Sequence, residues 1–546
     1  MTADHNGIGS APFTSSETTS RVSHDNPARQ AGVSSGESKA QNLHPTENND
    51  VPSESGEEKD LEKNNAETAL PQSQNKPEKD PNLVEWDGPE DPENPQNLPT
   101  WRKWAITMAM AMMTTWITFA SSVFSTATVV TAKKFDVSTE VMTLATSLVI
   151  FGFAAGPQVW SPVSELYGRR IPLFFGYAVF AIFQIPVAVA QNVYTIMICR
   201  FLMGAFGCSP LAVVGGAMAD IWGPVDRAIA IAMFSGATFL GPSLGPIIGG
   251  FITDSYLGWR WTAWITLIAS SFFGLLALII VPETYAPVIL QKRAARLRRE
   301  TRNWAYHSAL DENRPTASEI FRKYLARPIM MLFLEPILLL ITIYLALIYG
   351  ILYLFFEAYP VSFTEVRGWT NEGIAGLPFI GILVGVICGI CLIILQTKTR
   401  FARKLAKHGR VVPEERLIPM MIASVSLPAG LFWFGWTSNP HVHWAPQVIA
   451  GVPIGMGILV IFMQGLNYII DVYMMFANSA IAANTLVRSL VGGAFPLFAT
   501  QMYHNLGVAW ASSLLGFLTI AMIPIPIFFY IYGARIRAMS KYTPKL

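Results

Sequence analysis

The sequence has little charge and few cysteines. Only 14% of its 546 residues are charged, whereas 52% are hydrophobic. This composition excludes a soluble globular protein, which carries about 25% charged residues, and predicts a polytopic membrane protein. The four cysteines, Cys199, Cys208, Cys388 and Cys391, all fall within apolar segments. We therefore expect no disulfide, and membrane packing accounts for Cys388 and Cys391 better than a redox motif does.

The sequence also lacks the signatures of enzymes. It contains no His-Glu-x-x-His cluster and no nucleotide-binding glycine loop. Residues 241–245 satisfy Gly-x-Ser-x-Gly, the rule for a hydrolase nucleophile. That rule needs a preceding strand and a nearby His and acid, which an apolar span does not offer. We expect no enzyme activity, no metal and no cofactor, and the net charge of +2 indicates no nucleic-acid partner.

Long apolar runs fill the chain from residue 104 onward. A run of about 20 apolar residues crosses a bilayer as a helix. Counting such runs predicts an all-α membrane protein with twelve transmembrane helices in two six-helix halves. The spans are expected near 104–126, 141–160, 171–191, 194–220, 228–252, 260–281, 329–356, 373–396, 417–437, 445–470, 481–503 and 508–531.

Basic residues are concentrated on one side of these spans. That side carries Arg169, Arg170, Arg227, Arg488 and two richly basic connections, whereas the opposite loops carry four basic residues. The positive-inside rule assigns the basic side to the cytoplasm. Both termini are therefore predicted to be cytoplasmic.

The segments outside the spans differ in charge. The N-terminal region holds about half of the 37 acidic residues and almost no apolar clusters, which predicts disorder. Residues 291–299 are basic and helix-prone, so we expect them on the anionic inner leaflet, with a regulatory docking site as the alternative. The predicted domains are a disordered acidic cytoplasmic tail at 1–100, six-helix halves at 101–281 and 329–531, a basic cytoplasmic linker at 282–328 and a cytoplasmic C-terminal tail at 532–546.

A short loop between the second and third predicted spans brings an acid, a glycine and two arginines together. This arrangement favours a charge-paired latch at the cytoplasmic helix ends, which forms in one conformation and breaks in the other. Topology charges alone would explain the arginines but not the acid and the glycine. An acid and an arginine also bracket the next cytoplasmic turn and its counterpart in the second half. The predicted latch residues are Glu165, Gly168, Arg169, Arg170, Asp220, Arg227, Asp471 and Arg488.

The fifth predicted span carries a glycine at every fourth position. On a helix these glycines form one stripe without side chains, against which another helix packs at backbone distance. Two prolines remove backbone donors and predict a bend beside the stripe. The place of this span between the latch loop and the second half predicts a neighbour at the interface between the halves. The motif comprises Gly241, Pro242, Gly245, Pro246, Gly249 and Gly250.

These motifs resemble those of the major facilitator superfamily. Residues 161–170 match its loop signature Gly-x-x-x-Asp-x-x-Gly-Arg-Arg/Lys, except that Ser161 replaces the first glycine and Glu165 the aspartate. Residues 241–250 match Gly-x-x-x-Gly-Pro-x-x-Gly-Gly, which in this superfamily marks exporters that work as antiporters. With Pro-Glu-Thr-Tyr at 282–285, the chain resembles the fungal twelve-span drug:proton antiporters, which include multidrug, polyamine and secondary-metabolite exporters.

The resemblance associates proton coupling with an intramembrane Arg-x-x-x-Gly motif, which Arg200 matches. A cation within a span must face a cavity or a partner, and capping of neighbouring helix carbonyls is the structural alternative. Glu335 is the favoured proton-carrying acid, with pairing to cytoplasmic arginines as the alternative. Polar residues inside apolar spans are candidates for a substrate cavity, because exposure to lipid would penalise them. These candidates are Gln464, Asn467 and Asn484.

The sequence thus predicts a proton-coupled efflux transporter that exports small amphipathic molecules, such as drugs, toxins, polyamines or secondary metabolites, by alternating access. A facilitator or importer of the same fold and a non-transporting nutrient sensor are the alternatives. We expect a monomer in the plasma membrane, or else in the vacuolar membrane. Its expected partners are a small-molecule substrate, protons and the lipid bilayer.

Overall fold

The structure is a computed structural model that describes residues 80–312, 319, 322–409 and 411–543. Over these residues the chain folds into helices, and the one strand-like pairing is an isolated bridge between Leu83 and His307. Most of the tail predicted at 1–100 lies outside the described residues.

Helix starts in the first half follow local sequence signals. Ser138 and Asn192 each accept a hydrogen bond from a backbone N–H in the first turn of the following helix, where that donor has no partner within the helix. Other helices begin with a proline, which has no N–H to satisfy. The helices are α1 (Thr100–Ser122), α2 (Thr128–Phe135), α3 (Thr139–Ala155), α4 (Pro157–Tyr167), α5 (Arg170–Ala188), α6 (Val193–Gly207), α7 (Ser209–Ile221), α8 (Pro224–Asp254) and α9 (Arg260–Ile280).

The linker and the second half are also helical. Gly507 has a φ of 73° and a ψ of 160°, which a helix does not allow, so this glycine divides the longest helix into two spans. The linker contains α10 (Ala286–Thr301) and α11 (Ala309–Glu312). The following helices are α12 (Arg327–Leu334), α13 (Pro336–Pro360), α14 (Glu372–Gly376), α15 (Phe379–Gln396), α16 (Ala402–His408), α17 (Leu417–Trp436), α18 (Trp444–Ile449), α19 (Gly451–Tyr473), α20 (Ala477–Met522) and α21 (Pro524–Met539).

Twelve spans run through the described part of the chain, as predicted. Nine helical segments are long and apolar enough to cross a membrane, and α3 with α4, bent by 41°, makes a tenth. One of these segments, Trp444–Met539, supplies three crossings: α19, the part of α20 before Gly507, and the part after it, which continues into α21. The prediction of an all-α membrane protein is confirmed.

The seventh span begins later than the predicted 329–356. Glu335 has an extended backbone, with a φ of −111° and a ψ of 102°, and separates α12 from α13. Pro336 explains the break, because a proline disfavours helical geometry at the residue before it. The membrane crossing is therefore α13.

The halves meet along two sets of helices. α3 packs against α20, where a Cβ added to Gly493 would lie 2.6 Å from the ring of Phe151. α8 packs against α14 and α15, where a Cβ added to Gly236 would lie 2.3 Å from the side chain of Ile390. Each half also packs around apolar residues of its own.

The end of the predicted tail packs against the linker, which corrects two predictions. Asp87 and Asp91 both pair with Arg293 of α10, Asp91 at 2.6 Å, and Glu93 pairs with Arg296 at 2.5 Å. The backbone N–H of Asp87 and the Arg293 guanidinium lower the pKa of Asp91 to about 2. Disorder therefore does not extend to residue 100, and these two arginines of α10 face acidic protein groups instead of lipid head groups.

Candidate functional site

A cavity of about 360 Å³ lies between the two halves. Helices α1, α3, α4, α7 and α8 of the first half and α13, α19 and α20 of the second half line it. It reaches from the middle of the helices to the end of the bundle that carries the loops at 168–169 and 474–476. We call this end the linker end and the opposite one the far end. Aromatic side chains form much of the wall: Phe153, Phe234, Phe239, Tyr349, Tyr353 and Phe462.

Arg488 lies in the wall of this cavity, and its predicted place in the latch is wrong. It is 9% exposed, and its guanidinium carbon lies 4.8 Å from the ring centre of Tyr349 and 4.7 Å from that of Phe462. Asp471, predicted to bracket the same turn, accepts a hydrogen bond of 2.8 Å from Arg416. Arg488 is about 16 Å along the helix from the start of α20, too deep to bracket the turn at the linker end.

The charges along the cavity are mostly basic. Among the described residues that line it, Glu165 is the one carboxylate. Arg169 is neutralised by Asp220, at 3.0 Å. The side chain of Arg227 makes no hydrogen bond or ion pair with any residue in the described ranges, although it too lines the cavity near the linker end. A ligand in this cavity therefore meets a positive surrounding charge.

Glu165 connects the two halves at the linker end. Its carboxylate accepts hydrogen bonds from Lys323 Nζ at 2.7 Å, from the hydroxyl of Tyr324 and from Asn478 Nδ2 at 2.8 Å. Asn478 lies on α20, and the other two donors lie just before α12. The acid of the predicted latch thus has partners across the interface.

Glu283, an acid outside the predicted latch, contacts the other residues of the loop that contains Glu165. Glu283 follows α9 and accepts backbone N–H groups from Arg169 at 2.8 Å and from Arg170 at 3.3 Å. Gly168 has a φ of 88°, and a Cβ there would lie 2.4 Å from the Glu283 carboxylate, so glycine is required. In the sequence, Glu283 is an acid directly after an apolar span and part of the Pro-Glu-Thr-Tyr stretch at 282–285. All these contacts lie within the first half and the residues that directly follow it.

The second half repeats one part of this arrangement at equivalent helix ends. Arg169 precedes α5 and pairs with Asp220 near the end of α7. Arg416 precedes α17 and pairs with Asp471 near the end of α19, and both side chains are largely buried. The internal repeat is therefore carried by the Arg416 pair and not by Arg488.

The glycine stripe of α8 faces α1 of the same half. A Cβ on Gly241 would lie 2.1 Å from the Thr118 hydroxyl oxygen, and one on Gly245 would lie 1.9 Å from that of Ser122. Gly249 likewise approaches the backbone and side chains just after α1. The prediction that the stripe lies at the interface between the halves is wrong for these three glycines.

The rest of the motif does reach the second half or the cavity. A Cβ on Gly250 would lie 2.5 Å from the carbonyl oxygen of Glu372, and the Pro246 carbonyl lies 2.6 Å from the position of a Cβ on Gly376. Pro242 lines the cavity. Because successive helix positions turn by 100°, one sequence motif packs against α1 on one face and against α14 on another.

Arg200 is buried among backbone carbonyls. It is 2% exposed, and its Nε donates to the Ala145 carbonyl at 2.7 Å. Its Nη2 donates to the carbonyls of Ala120 and Ser121 at 3.3 and 3.4 Å, and its guanidinium lies 4.4 Å from the Phe124 ring centre. This is the geometry of the carbonyl-capping alternative. A role in proton coupling stays a prediction.

Glu335 lies at the linker end and outside the cavity lining. It is 3% exposed and accepts hydrogen bonds of 3.3 Å from the Tyr473 hydroxyl and from the Lys541 backbone N–H. Pairing with a cytoplasmic arginine, the alternative for Glu335, is not found among the described residues. Proton transfer by Glu335 stays a prediction.

One of the three predicted cavity residues, Asn467, lines the cavity. Gln464 is fully buried, and neither of its amide atoms has a hydrogen-bond partner in the described part of the chain. Asn484 is fully buried and donates to Thr342 at 3.3 Å. Gln464 and Asn484 therefore avoid lipid by packing between helices, which the sequence alone does not distinguish from facing a cavity.

Hydrogen bonds connect the two halves at the far end. Asp254, at the end of α8, accepts the backbone N–H of Glu372 at 2.7 Å. Gln501 of α20 donates to Glu140 of α3 at 3.3 Å. None of these residues lines the cavity, which ends near the middle of the helices. The cavity therefore extends toward the linker end.

Comparison with known proteins agrees with this architecture. The family model of the Major Facilitator Superfamily matches residues 105–496. The MFS-type transporter acdC of Aspergillus candidus is 66% identical over 468 residues, which cover 86% of this chain and 92% of the relative. The citrinin biosynthesis cluster MFS transporter mrr1 of Monascus ruber is 66% identical over 463 residues, covering 85% and 93%. The cercosporin MFS transporter CTB4 of Cercospora nicotianae is 49% identical over 466 residues, covering 85% and 90%.

A solved structure shows the same fold at low sequence identity. The human organic anion transporter MFSD10 (TETRAN) superposes with a TM-score of 0.50 and 13% identity, over 79% of this chain and 100% of that chain. The family model, the relatives and the two six-helix halves agree, and the chain belongs to the major facilitator superfamily of membrane transporters.

Proposed function

We propose that this chain is a secondary active exporter, which moves small amphipathic molecules out of the cytoplasm by alternating access. The observation that carries the proposal is the cavity between the halves, which extends to the linker end and is covered at the far end. An aromatic, mainly apolar cavity of about 360 Å³ with a few polar groups suits a small ligand. Two six-helix halves around a central site are the arrangement of a rocking transporter.

The linker end is proposed to face the cytoplasm. The basic linker helix and the arginines of the predicted latch lie at this end, and the positive-inside rule places such residues in the cytoplasm. The structure then represents a state whose cavity faces the compartment from which an exporter loads. We propose the plasma membrane as its location and a monomer as its functional unit.

The proposed substrate is a secondary metabolite. Relatives carry the names of citrinin and ascochitine biosynthesis clusters and of cercosporin. The cavity suits such molecules better than polyamines, because its one lining carboxylate, within the described residues, is already bonded to Lys323. A polyamine would therefore lose its hydration without gaining a free counter-ion.

The proposed energy source is a proton gradient, with no cofactor. Glu335, at the break before α13, accepts hydrogen bonds from Tyr473 at the end of α19 and from Lys541 in the C-terminal segment. Glu335 is proposed as the acid that carries the proton, because its two hydrogen bonds connect helix ends that would move relative to one another in a transport cycle. Arg200 is proposed to act by holding α1, α3 and α6 together through their carbonyls, without pairing to Glu335.

Transport by the full-length protein in proteoliposomes tests this function. With an imposed acidic lumen, citrinin or cercosporin should accumulate, and spermidine should not. Glu335→Gln should abolish gradient-driven accumulation, whereas Arg102→Gln, a change at an exposed position of α1, should leave it intact. Metabolite flux that does not depend on the proton gradient would indicate a facilitator. Binding without any flux would indicate a sensor, and either result would reject the proposal.

A further inference from the structure

Arg488 is a buried cation without a counter-ion among the residues that the structure describes. It is 9% exposed, and its Nε has no hydrogen-bond partner among the described residues. It also makes no ion pair within those residues, and its surroundings are the rings of Tyr349 and Phe462. A charge at membrane depth is costly unless it is paired or faces a cavity, and Arg488 lines the central cavity.

The comparison with Arg200 shows that this arrangement is particular to the cavity. Arg200 also has no ion pair in the described part of the chain, but its guanidinium donates to three backbone carbonyls. Those carbonyls accept from its Nε and Nη2, and Arg200 does not line the cavity. Within the described part of the chain Arg488 contacts aromatic faces alone, which attract a cation but accept no strong hydrogen bond. Its donors therefore remain available to a ligand.

Neighbouring groups extend the site beyond one charge. Thr485 lies on α20 one turn before Arg488, and Asn467 lies on the facing α19, and both line the cavity. The hydroxyl of Tyr353 lies 3.1 Å from that of Ser121 and 3.4 Å from that of Tyr349. A charged group thus sits among hydrogen-bonding groups within an otherwise aromatic wall.

We propose that the cavity binds an amphipathic organic anion, with a carboxylate or phenolate on Arg488 and an apolar ring system against the aromatic wall. This inference rests on the proposed function, because it names the class of molecule that the exporter carries. The anion would supply the acceptors that Arg488 lacks, and the planar guanidinium fits a carboxylate with two parallel hydrogen bonds. Arg227 near the linker end, which has no ion-pair partner in the described ranges, would favour entry of the same charge.

Binding of matched probes to the full-length protein in nanodiscs tests the proposal. The probes are 2-naphthoate, neutral 2-naphthamide and cationic 2-naphthylmethylammonium, measured by calorimetry against empty nanodiscs. We expect 2-naphthoate to bind more tightly than the other two. Arg488→Gln should weaken 2-naphthoate binding by about tenfold or more and leave 2-naphthamide binding unchanged. Arg488→Lys should retain part of the preference, and Arg102→Gln all of it.

A structural role for Arg488 predicts different results. If Arg488 only supported the fold, Arg488→Gln would lower the melting temperature of the unliganded protein, whereas a ligand-binding arginine should leave it unchanged or raise it. Equal binding of the three probes, or an unchanged preference in Arg488→Gln, would overturn the proposal even if gradient-driven export of another molecule were found. Arg488-dependent binding of 2-naphthoate without gradient-driven flux would instead retain the anion site and reject the proposed export.

Discussion

The close approach of α8 to α1 makes Gly245→Ala a sharp test of the packing. A Cβ at this position would lie 1.9 Å from Ser122 Oγ and 2.8 Å from the Val123 backbone nitrogen. Alanine normally gains about 1 kcal/mol over glycine inside a helix. Overpacking of a filled interface costs about 1–3 kcal/mol, because the helices must separate or the side chains must leave their preferred rotamers. We expect the overpacking cost to cancel or exceed the gain.

Gly215→Ala is the matched control. Gly215 lies within α7, and a Cβ there would have no atom within 4 Å, so this variant should show the helix gain alone. The two variants should differ by about 1–3 kcal/mol, with Gly245→Ala the less stable, in thermal unfolding of the purified protein. Adding Ser122→Ala to Gly245→Ala removes the oxygen at 1.9 Å and should recover part of the loss. If Gly245→Ala were as stable as Gly215→Ala, the stripe would not be closely packed.

Three further predictions concern single side chains. Asp471→Asn should destabilise the protein by about 3–5 kcal/mol, because it leaves Arg416 buried without its partner, whereas Arg488→Gln should not; thermal unfolding checks both. The Ala305 carbonyl and the nearby Glu312 raise the pKa of His307. The protonated imidazole therefore stabilises the folded state below about pH 6.5, and this stabilisation is lost as the pH rises through the raised pKa. Leu83 forms an isolated β-bridge with His307. Proteolysis next to Leu83 should therefore be slower at pH 6 than at pH 8.5, and His307→Ala should remove the difference between the two rates. Gln464→Met should raise the free energy of unfolding by about 1–3 kcal/mol without loss of transport, because neither buried amide atom of Gln464 has a hydrogen-bond partner among the described residues. A loss of transport would instead indicate that Gln464 contacts the substrate.

The spans were predictable from the sequence because each one needs its own apolar run, whatever its neighbours are. The neighbours themselves were not. The period of the glycines in α8 correctly indicates a flat stripe, but it contains no information on which helix lies opposite.

Arg488 shows that the sequence does not tell how deep in a helix a basic residue lies. A basic residue counts toward topology whether it lies at a helix end or several turns inside, and only the position of α20 separates the two cases. The same holds for Glu283, whose role as an acceptor for the start of α5 depends on a contact 114 positions away in the sequence.

The ion pairs within the halves are more buried than the ion pair between them. The Arg169–Asp220 pair lies within one half and has side chains 10% and 18% exposed, and the Arg416–Asp471 pair within the other half has 6% and 11%. Loss of one partner from such a buried pair costs about 3–5 kcal/mol, so each half keeps its shape.

The ion pair that Glu165 makes across the interface is more exposed than these two pairs. The Glu165 side chain is 17% exposed, whereas that of Lys323 is 47% exposed, and water screens an ion pair with one such partner, so that it contributes about 1 kcal/mol or less. The bonds at the far end are likewise few and lie near the surface. Under the proposed mechanism these contacts form and break in each cycle, and a substrate that changes the balance by a few kcal/mol is sufficient to shift the halves. An anion on Arg488 would act on this balance, because the cavity that holds it is built from both halves.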